Sequence, residues 1–473
     1  MRSPDKLLLF PMLECLRGLV VAIVVLLLVQ TFLIEGLMTP YLVSSCSMSP
    51  TFRGPHVELR CPGCENIFRI ETGHWPSISS DDVPFHWATC PACSFAQVPI
   101  SRDSIRDGDR VFVNRAALSL QPLCRWDAVL FRTPADTMLT VKRIAGLPGE
   151  VLEIRNGDIY INGKIAAKPF DVQQAMRIPV PHGCWEMQPG TQLGQYELAF
   201  RPIRNVPHGN LASAIDAADV PKNDSTGHLT SDSASDWDAD SAIVSASAFP
   251  SLYGVTNQLC ENQWRAQSGD NIFPVGDLMI EFDWQPEASM PLMVRVANAA
   301  TDKSFQVRFD ADQKTLLVMA SATAWRSKLP RVAGNEPQKI TLSFFDQLML
   351  VAINGEGVFA EPFDTNMAAC SDDAKFFDEK IPPFAFFLSE NTGLSQIEQA
   401  DALKRQIANM RIWRDVYYTP KTDFAASVPT LVTIPKGCYY MLGDNSCFSI
   451  DSRNRNEPFI KQCDLIGTVS SPK

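Results

Sequence analysis

Three short blocks hold the side chains that could carry out covalent chemistry. Ser44-Ser45-Cys46-Ser47-Met48-Ser49-Pro50-Thr51 gathers serines just beyond the only long apolar run of the chain. Serine attacks a peptide carbonyl poorly unless a base takes its proton. A base candidate lies in Thr140-Val141-Lys142-Arg143-Ile144-Ala145-Gly146-Leu147-Pro148-Gly149-Glu150, and a third block, Gly443-Asp444-Asn445-Ser446-Cys447-Phe448-Ser449-Ile450-Asp451-Ser452-Arg453, adds hydroxyls, carboxylates and a guanidinium. A Ser-His-Asp triad is the rival arrangement. The six histidines, His56, His74, His86, His182, His208 and His228, stand in no recognisable box and read as surface or loop residues.

The elements that must position these groups are mostly strands. Asp107–Arg115 and Arg125–Arg132 each show a turn followed by alternating apolar residues, which predicts strands of a β-rich domain. Gly146-Leu147-Pro148-Gly149 reads as the tight turn that ends the strand before it. Upstream, residues from Gly18 to Ile34 carry no charge, and Arg2, Lys6 and Arg17 precede them. With the residues that follow, this run approaches the roughly 20 needed to span a bilayer, and the basic residues place the N-terminus in the cytoplasm. A cleavable signal peptide would have a shorter apolar core, roughly 7–15 residues, and cutting near Val43-Ser44-Ser45 would sever the run from the serine block. A retained transmembrane anchor is therefore expected.

Composition narrows the partners. The chain of 473 residues has a net charge of −11 and no long basic cluster, which excludes nucleic acid as a partner. Part of the negative charge sits between about 205 and 248, a stretch rich in Ala, Ser and Asp that reads as a disordered linker. Four of the thirteen cysteines form Cys61-Pro62-Gly63-Cys64 and Cys90-Pro91-Ala92-Cys93. Two such knuckles suit four thiolates around one structural zinc, with no open position for water. Two short disulfides or redox pairs are the alternatives.

Taken together and in order, the three blocks resemble the type I signal peptidases of bacteria, serine–lysine proteases that cut signal peptides from exported proteins. Ser45-Cys46-Ser47-Met48-Ser49-Pro50-Thr51 is similar to that family's Ser-x-Ser-Met-x-Pro-Thr box, with Cys46 where glycine is usual. The resemblance implies Ser47 as nucleophile, with the Ser45 hydroxyl and the Ser47 backbone N–H as the oxyanion hole. It implies Lys142 as general base, which requires a neutral amine and hence an apolar setting. Asp107–Arg115 and Arg125–Arg132 resemble two supporting boxes, with Trp126 in place of a glycine. The Gly-Asp-Asn block implies that Ser449 orients Lys142 while Asp451 and Arg453 form a structural ion pair. After Arg453 the family commonly has a glycine, whereas this chain continues Asn454-Arg455-Asn456-Glu457-Pro458. No cofactor is implied for catalysis.

The resemblance covers less than a third of the chain. From about 249 to 418, short alternating runs such as LMIEFDW, SFQVRFD and QLMLVAING predict a β-sandwich, loosely similar to concanavalin and laminin-G-like jelly rolls. The expected architecture is mostly β: tip and transmembrane anchor (1–38), a signal-peptidase β-core (39–204) with a zinc-ribbon-like insert at 55–100, the linker (205–248), the sandwich (249–418) and the rest of the core (419–473). The implied function is a membrane-bound serine endopeptidase at the cell (inner) membrane, single-pass, with its catalytic domain on the extracytoplasmic side. Its partners would be signal peptides and membrane lipid, with carbohydrate or protein on the sandwich. The alternative is a cell-surface binding or scaffold protein built on an inactive core.

Overall fold

A computed structural model describes residues 5–29, 38–62, 65–71, 87–88, 90, 98–99, 105–133, 138–180, 185–189, 195–200, 275–287, 290–298, 303–320, 323–329, 336–363, 383–388, 395–419, 431–446 and 448–470, and all structural statements refer to these. The chain forms two compact units. One combines Met1–Pro55, Asp107–Lys164 and Tyr418–Lys473; the other combines His56–Arg106 and Ile165–Tyr417. The serine, lysine and Gly-Asp-Asn blocks all fall in the first unit, although about 300 residues of sequence separate the last two.

The first unit is built on a seven-stranded sheet in the order Met38–Leu42, Arg110–Asn114, Leu465–Ser470, Ala128–Phe131, Thr140–Gly146, Cys438–Leu442 and Phe459–Lys461. Each neighbouring pair is antiparallel. The period-2 alternation of Arg110–Asn114 buries Val111 and Val113 and exposes Phe112. Met48, Phe52, Val111, Val113, Ala128, Leu130 and Val469 form one apolar cluster. Val129, Phe131, Ile144, Met441 and Ile460 form another, so successive residues of the same strands feed two cores. A smaller sheet pairs Val151–Arg155 with Asp158–Ile161 and with Leu431–Thr433. Trp126 occupies a left-handed conformation (φ 75°), the backbone geometry that a glycine would adopt freely, and its indole is buried.

The second unit is dominated by two sheets. A six-stranded sheet runs Ile178–Val180, Ile407–Arg414, Leu278–Trp284, Gln338–Ser343, Leu348–Ile353, Glu356–Pro362. A seven-stranded sheet runs Trp185–Pro189, Gln195–Phe200, Phe384–Leu388, Leu292–Asn298, Lys303–Asp310, Thr315–Ala320, Thr323–Lys328. Their alternate residues meet in a shared core, as in the ring contacts of Phe282 with Phe386 (5.5 Å) and Trp284 with Phe309 (5.4 Å). These two sheets draw on strands from Ile178 to Arg414. Ile178–Val180 and Gln195–Phe200, in the stretch expected to be β-core, pair with Ile407–Arg414 and Phe384–Leu388 and so lie in these two sheets. The composition change near 205 marks a break inside the insertion, while the chain enters it at Ile165. The linker itself, 205–248, lies outside the described residues.

At the ends of that insertion lies a buried ionic cluster. Lys168 Nζ donates to Asp346 (2.7 Å) and to Asp415 (2.7 Å), and the Asp346 backbone N–H donates to Asp277 (2.6 Å). Burial pushes the Asp277 carboxyl up to about 8, helped by Asp415 and Asp346 beside it. Lys168 and Asp415 sit just inside the two crossing points, so the cluster ties entry and exit together.

The expected membrane span is not shown by the described residues. Asp5–Leu28 is helical, and its side chains from Leu16 to Val29 are exposed, yet among the described residues no helix is long and apolar enough to cross a membrane. The remainder of the expected run, 30–34, lies outside the described residues.

Candidate active site

The serine block leaves the edge strand Met38–Leu42 and tightens into a single 3-10 turn, Cys46–Met48. Ser45 is extended (φ −138°, ψ 159°), and Cys46, Ser47 and Met48 are buried. Met48 and Phe52 anchor the turn by packing into the apolar cluster with Val111 and Leu130. The Ser45 and Ser47 hydroxyls lie 3.3 Å apart. Two donors from the Gly-Asp-Asn block clamp the turn: Asn445 Nδ2 donates to the Cys46 carbonyl and the Asn445 N–H to the Ser47 carbonyl, both at 3.1 Å.

Lys142 is carried by Thr140–Gly146, between Ala128–Phe131 and Cys438–Leu442, with Val129 as its cross-strand partner. The side chain is 2% exposed, and Nζ donates to Ser449 Oγ at 3.0 Å. Burial pulls the Lys142 amine down to about 8. Asp451 and Cys46 oppose that shift, whereas Arg453 and Arg455 add to it. A lysine in this setting is neutral in a minor but usable fraction at pH 7 and in about half of molecules near pH 8, as a general base requires.

Gly443 joins the two halves. A Cβ there would overlap both the Ser449 hydroxyl and the Ser47 carbonyl oxygen. The chain at Gly443, just past the strand Cys438–Leu442, thus approaches the Ser47 backbone on one side and the hydroxyl that binds Lys142 on the other, and only a residue without a side chain fits. Gly443 N–H also donates to Asp451 Oδ2 (3.0 Å). Arg453 grips Asp451 through Nε (2.9 Å) and Nη2 (2.8 Å) and reaches Ser446 and the Thr419 carbonyl. Burial alone would raise the Asp451 carboxyl, but the Arg453 guanidinium brings it below its usual range, so the pair stays ionised.

Asp444 is the point where all three blocks meet. Thr51 Oγ1 donates to its Oδ2 at 2.6 Å, and Arg143 binds it through Nε (2.8 Å) and Nη2 (2.5 Å). Asp444 is fully buried. Thr51 belongs to the serine block and Arg143 follows Lys142 directly, so one carboxylate sets the spacing of nucleophile turn, lysine strand and C-terminal block. Gly443, Asp444, Asn445, Thr51 and Arg143 were not singled out by the sequence reading. Their signal was present, since each lies inside one of the three blocks.

Ser45, Ser47, Lys142, Ser449, Asp451 and Arg453 all come together in the first unit. His56 is in the other unit and the remaining five histidines lie outside the described residues, so among the described residues no histidine belongs to the unit that carries this site. Of the cysteine knuckles, Cys61, just past the strand His56–Arg60, and Cys90, just past Trp87–Ala88, are fully buried in the second unit. Cys64 and Cys93 lie outside the described residues.

A serine turn clamped by Asn445 thus lies in the same unit as a buried lysine bound to Ser449. Residues 93–222 match the signal peptidase, peptidase S26 family. That stretch includes Lys142 and Arg143 and ends before the Gly-Asp-Asn block. Signal peptidase I V of Bacillus subtilis is 36% identical over 67 residues, 14% of this chain and 39% of the relative. Signal peptidase I of Bacillus amyloliquefaciens is 37% identical over 67 residues, 14% of this chain and 35% of the relative. Signal peptidase I of Bacillus licheniformis is 24% identical over 157 residues, 33% of this chain and 54% of the relative. The chain therefore spans between about a third and a half of the length of these relatives, and the similarity supports a type I signal peptidase at family level. Among solved structures, an alginate lyase, AlgAT5 from polysaccharide lyase family 7, aligns at 8% identity over 32% of this chain and 64% of its own, with a TM-score of 0.16, too low to carry an argument.

Proposed function

We propose that this chain is a serine endopeptidase that removes N-terminal signal peptides from exported preproteins, with Ser47 as nucleophile and Lys142 as general base. The observation that carries this reading is the buried Lys142 amine, bound to Ser449 and brought down to about 8, with Gly443 packed against both Ser449 and the Ser47 carbonyl. Ser47 Oγ would attack the scissile carbonyl as its proton passes to Lys142 Nζ. The negative oxygen that forms would be met by the Ser45 hydroxyl and the Ser47 backbone N–H, donors of a kind worth a few kcal/mol each. Lys142 would return its proton to the leaving amine, which frees the mature protein and leaves the signal peptide as an ester on Ser47. The neutral amine would next deprotonate a water that hydrolyses this ester and restores both groups. Ser449 holds the amine, and the Asp451–Arg453 pair fixes the segment that carries Ser449.

The substrate would lie extended beside Met38–Leu42, an edge strand of the seven-stranded sheet, with small residues at positions −1 and −3 from the cut. The half-exposed apolar side chains from Leu19 to Val29 support attachment to lipid, with the catalytic unit on the extracytoplasmic face. The knuckle cysteines Cys61, Cys64, Cys90 and Cys93 would hold one structural zinc; the fit rests on the thiol donor set and the complete burial of Cys61 and Cys90. The sandwich would serve as a binding module for carbohydrate or protein. The experiment is incubation of the full chain in detergent with a preprotein, followed by mass spectrometry of the products. One cut after a small residue at the end of the signal peptide is the expected result; an intact preprotein over the whole pH range overturns the reading.

A further inference from the structure

The stretch after Arg453 departs from the pattern the chain otherwise resembles, and it places another cation near the lysine. Ser452 N–H donates to the Met441 carbonyl (3.0 Å) and Met441 N–H donates back to Ser452 Oγ (2.8 Å), while Asn454 N–H closes a turn on the Asp451 carbonyl (3.0 Å). The segment leading to Arg455 is thus pinned to Cys438–Leu442, the neighbour of the lysine strand. Arg455 is half-buried, with its guanidinium carbon 5.5 Å from the centre of the Phe131 ring. Phe131 is fully buried on Ala128–Phe131, the strand whose Val129 stands opposite Lys142. The side chain is therefore held by an aromatic face on the strand beside the lysine.

We propose that Arg455 is a positioning residue for the peptidase reaction proposed above: held over Phe131, it keeps a fixed positive charge near the Lys142 amine and so favours the neutral, base-competent form. A buried amine resists a proton more strongly when another cation is nearby, because low-dielectric surroundings screen the repulsion poorly. The charged or titratable groups acting on Lys142 are Cys46 from the serine turn and Asp451, Arg453 and Arg455 from the C-terminal block. Asp451 and Cys46 draw the proton on; Arg453 and Arg455 keep it off. Arg453 is committed to Asp451 and Ser446 and cannot be altered without dismantling the site. Arg455 adds a charge of the same sign from its place over Phe131.

The test is the pH profile of kcat/KM for preprotein cleavage by wild type, Arg455→Gln and Arg455→Lys, with a direct titration of Lys142 by the NMR shift of its Cε in lysine-labelled protein, assigned by loss of the signal in Lys142→Met. In Arg455→Gln the acid limb is expected to move to higher pH, giving an activity about two- to fivefold lower at pH 7 that converges on wild type above the limb. Arg455→Lys restores the profile, and the Cε titration moves in step. A uniform loss at every pH, or an unmoved Lys142 titration in Arg455→Gln, overturns the proposal. If wild type cuts nothing while the titration still moves, the protease reading fails and the role of Arg455 in tuning the amine stands.

Discussion

At the scale of single residues, the site depends on protonation. Ammonium has no lone pair to accept the Ser47 proton, and the Lys142 amine titrates near 8 because it is buried. Cleavage should therefore rise from pH 6 through about 8 and level off above it, as followed by initial rates on a signal-peptide substrate; a rate that falls steadily across that range would exclude a lysine base. The six side chains named from sequence were named because their order along the chain resembles a known pattern. What the sequence could not show was how they are held. Asp444 looked like part of a good turn sequence, and its role became visible only once Thr51 and Arg143 were seen on its carboxylate. A bond between residues about 300 positions apart leaves no periodicity in the sequence.

At the scale of elements, the strands were legible wherever apolar residues alternate, as in Arg110–Asn114, and the sandwich likewise. The insertion boundary was not, because Ile178–Val180 and Gln195–Phe200 are strands whose sheet partners lie about 190–240 residues away. A composition change marks a linker, which need not be where one sheet gives way to another. The close approach at Gly443 gives a sharp prediction. Gly443→Ala should lower cleavage at least about tenfold and cost about 1–3 kcal/mol, read by thermal unfolding, since neither the Ser47 carbonyl nor the Ser449 hydroxyl can retreat without moving the site. The knuckles give another. Purified protein should contain about one zinc per chain by elemental analysis, and replacing Cys61 or Cys90 with serine should release it. No metal in the wild type, with disulfides inside each Cys-Pro-x-Cys pair, would assign them to redox chemistry instead.

At the scale of the whole molecule, two units with separate cores come from one interleaved chain. Removing 206–418 would leave strands Ile178–Val180 and Gln195–Phe200 without their sheets, and that variant is expected to aggregate. Removing both 56–106 and 165–417, with short flexible linkers joining Pro55 to Asp107 and Lys164 to Tyr418, respects the boundaries, keeps every proposed catalytic side chain, and should retain cleavage of a short signal-peptide substrate. If that variant folds and cuts nothing, the insertions are part of the active enzyme. The central claim, a Ser47–Lys142 peptidase, is tested most directly by one side-by-side assay. A preprotein is offered in detergent to folded wild type, Ser47→Ala, Lys142→Ala and Lys142→Arg, and mature product is measured at pH 8. The account predicts product from wild type alone, with Lys142→Arg as inactive as the alanine variants because a guanidinium stays charged at any usable pH. Substantial product from any of the three variants would contradict it.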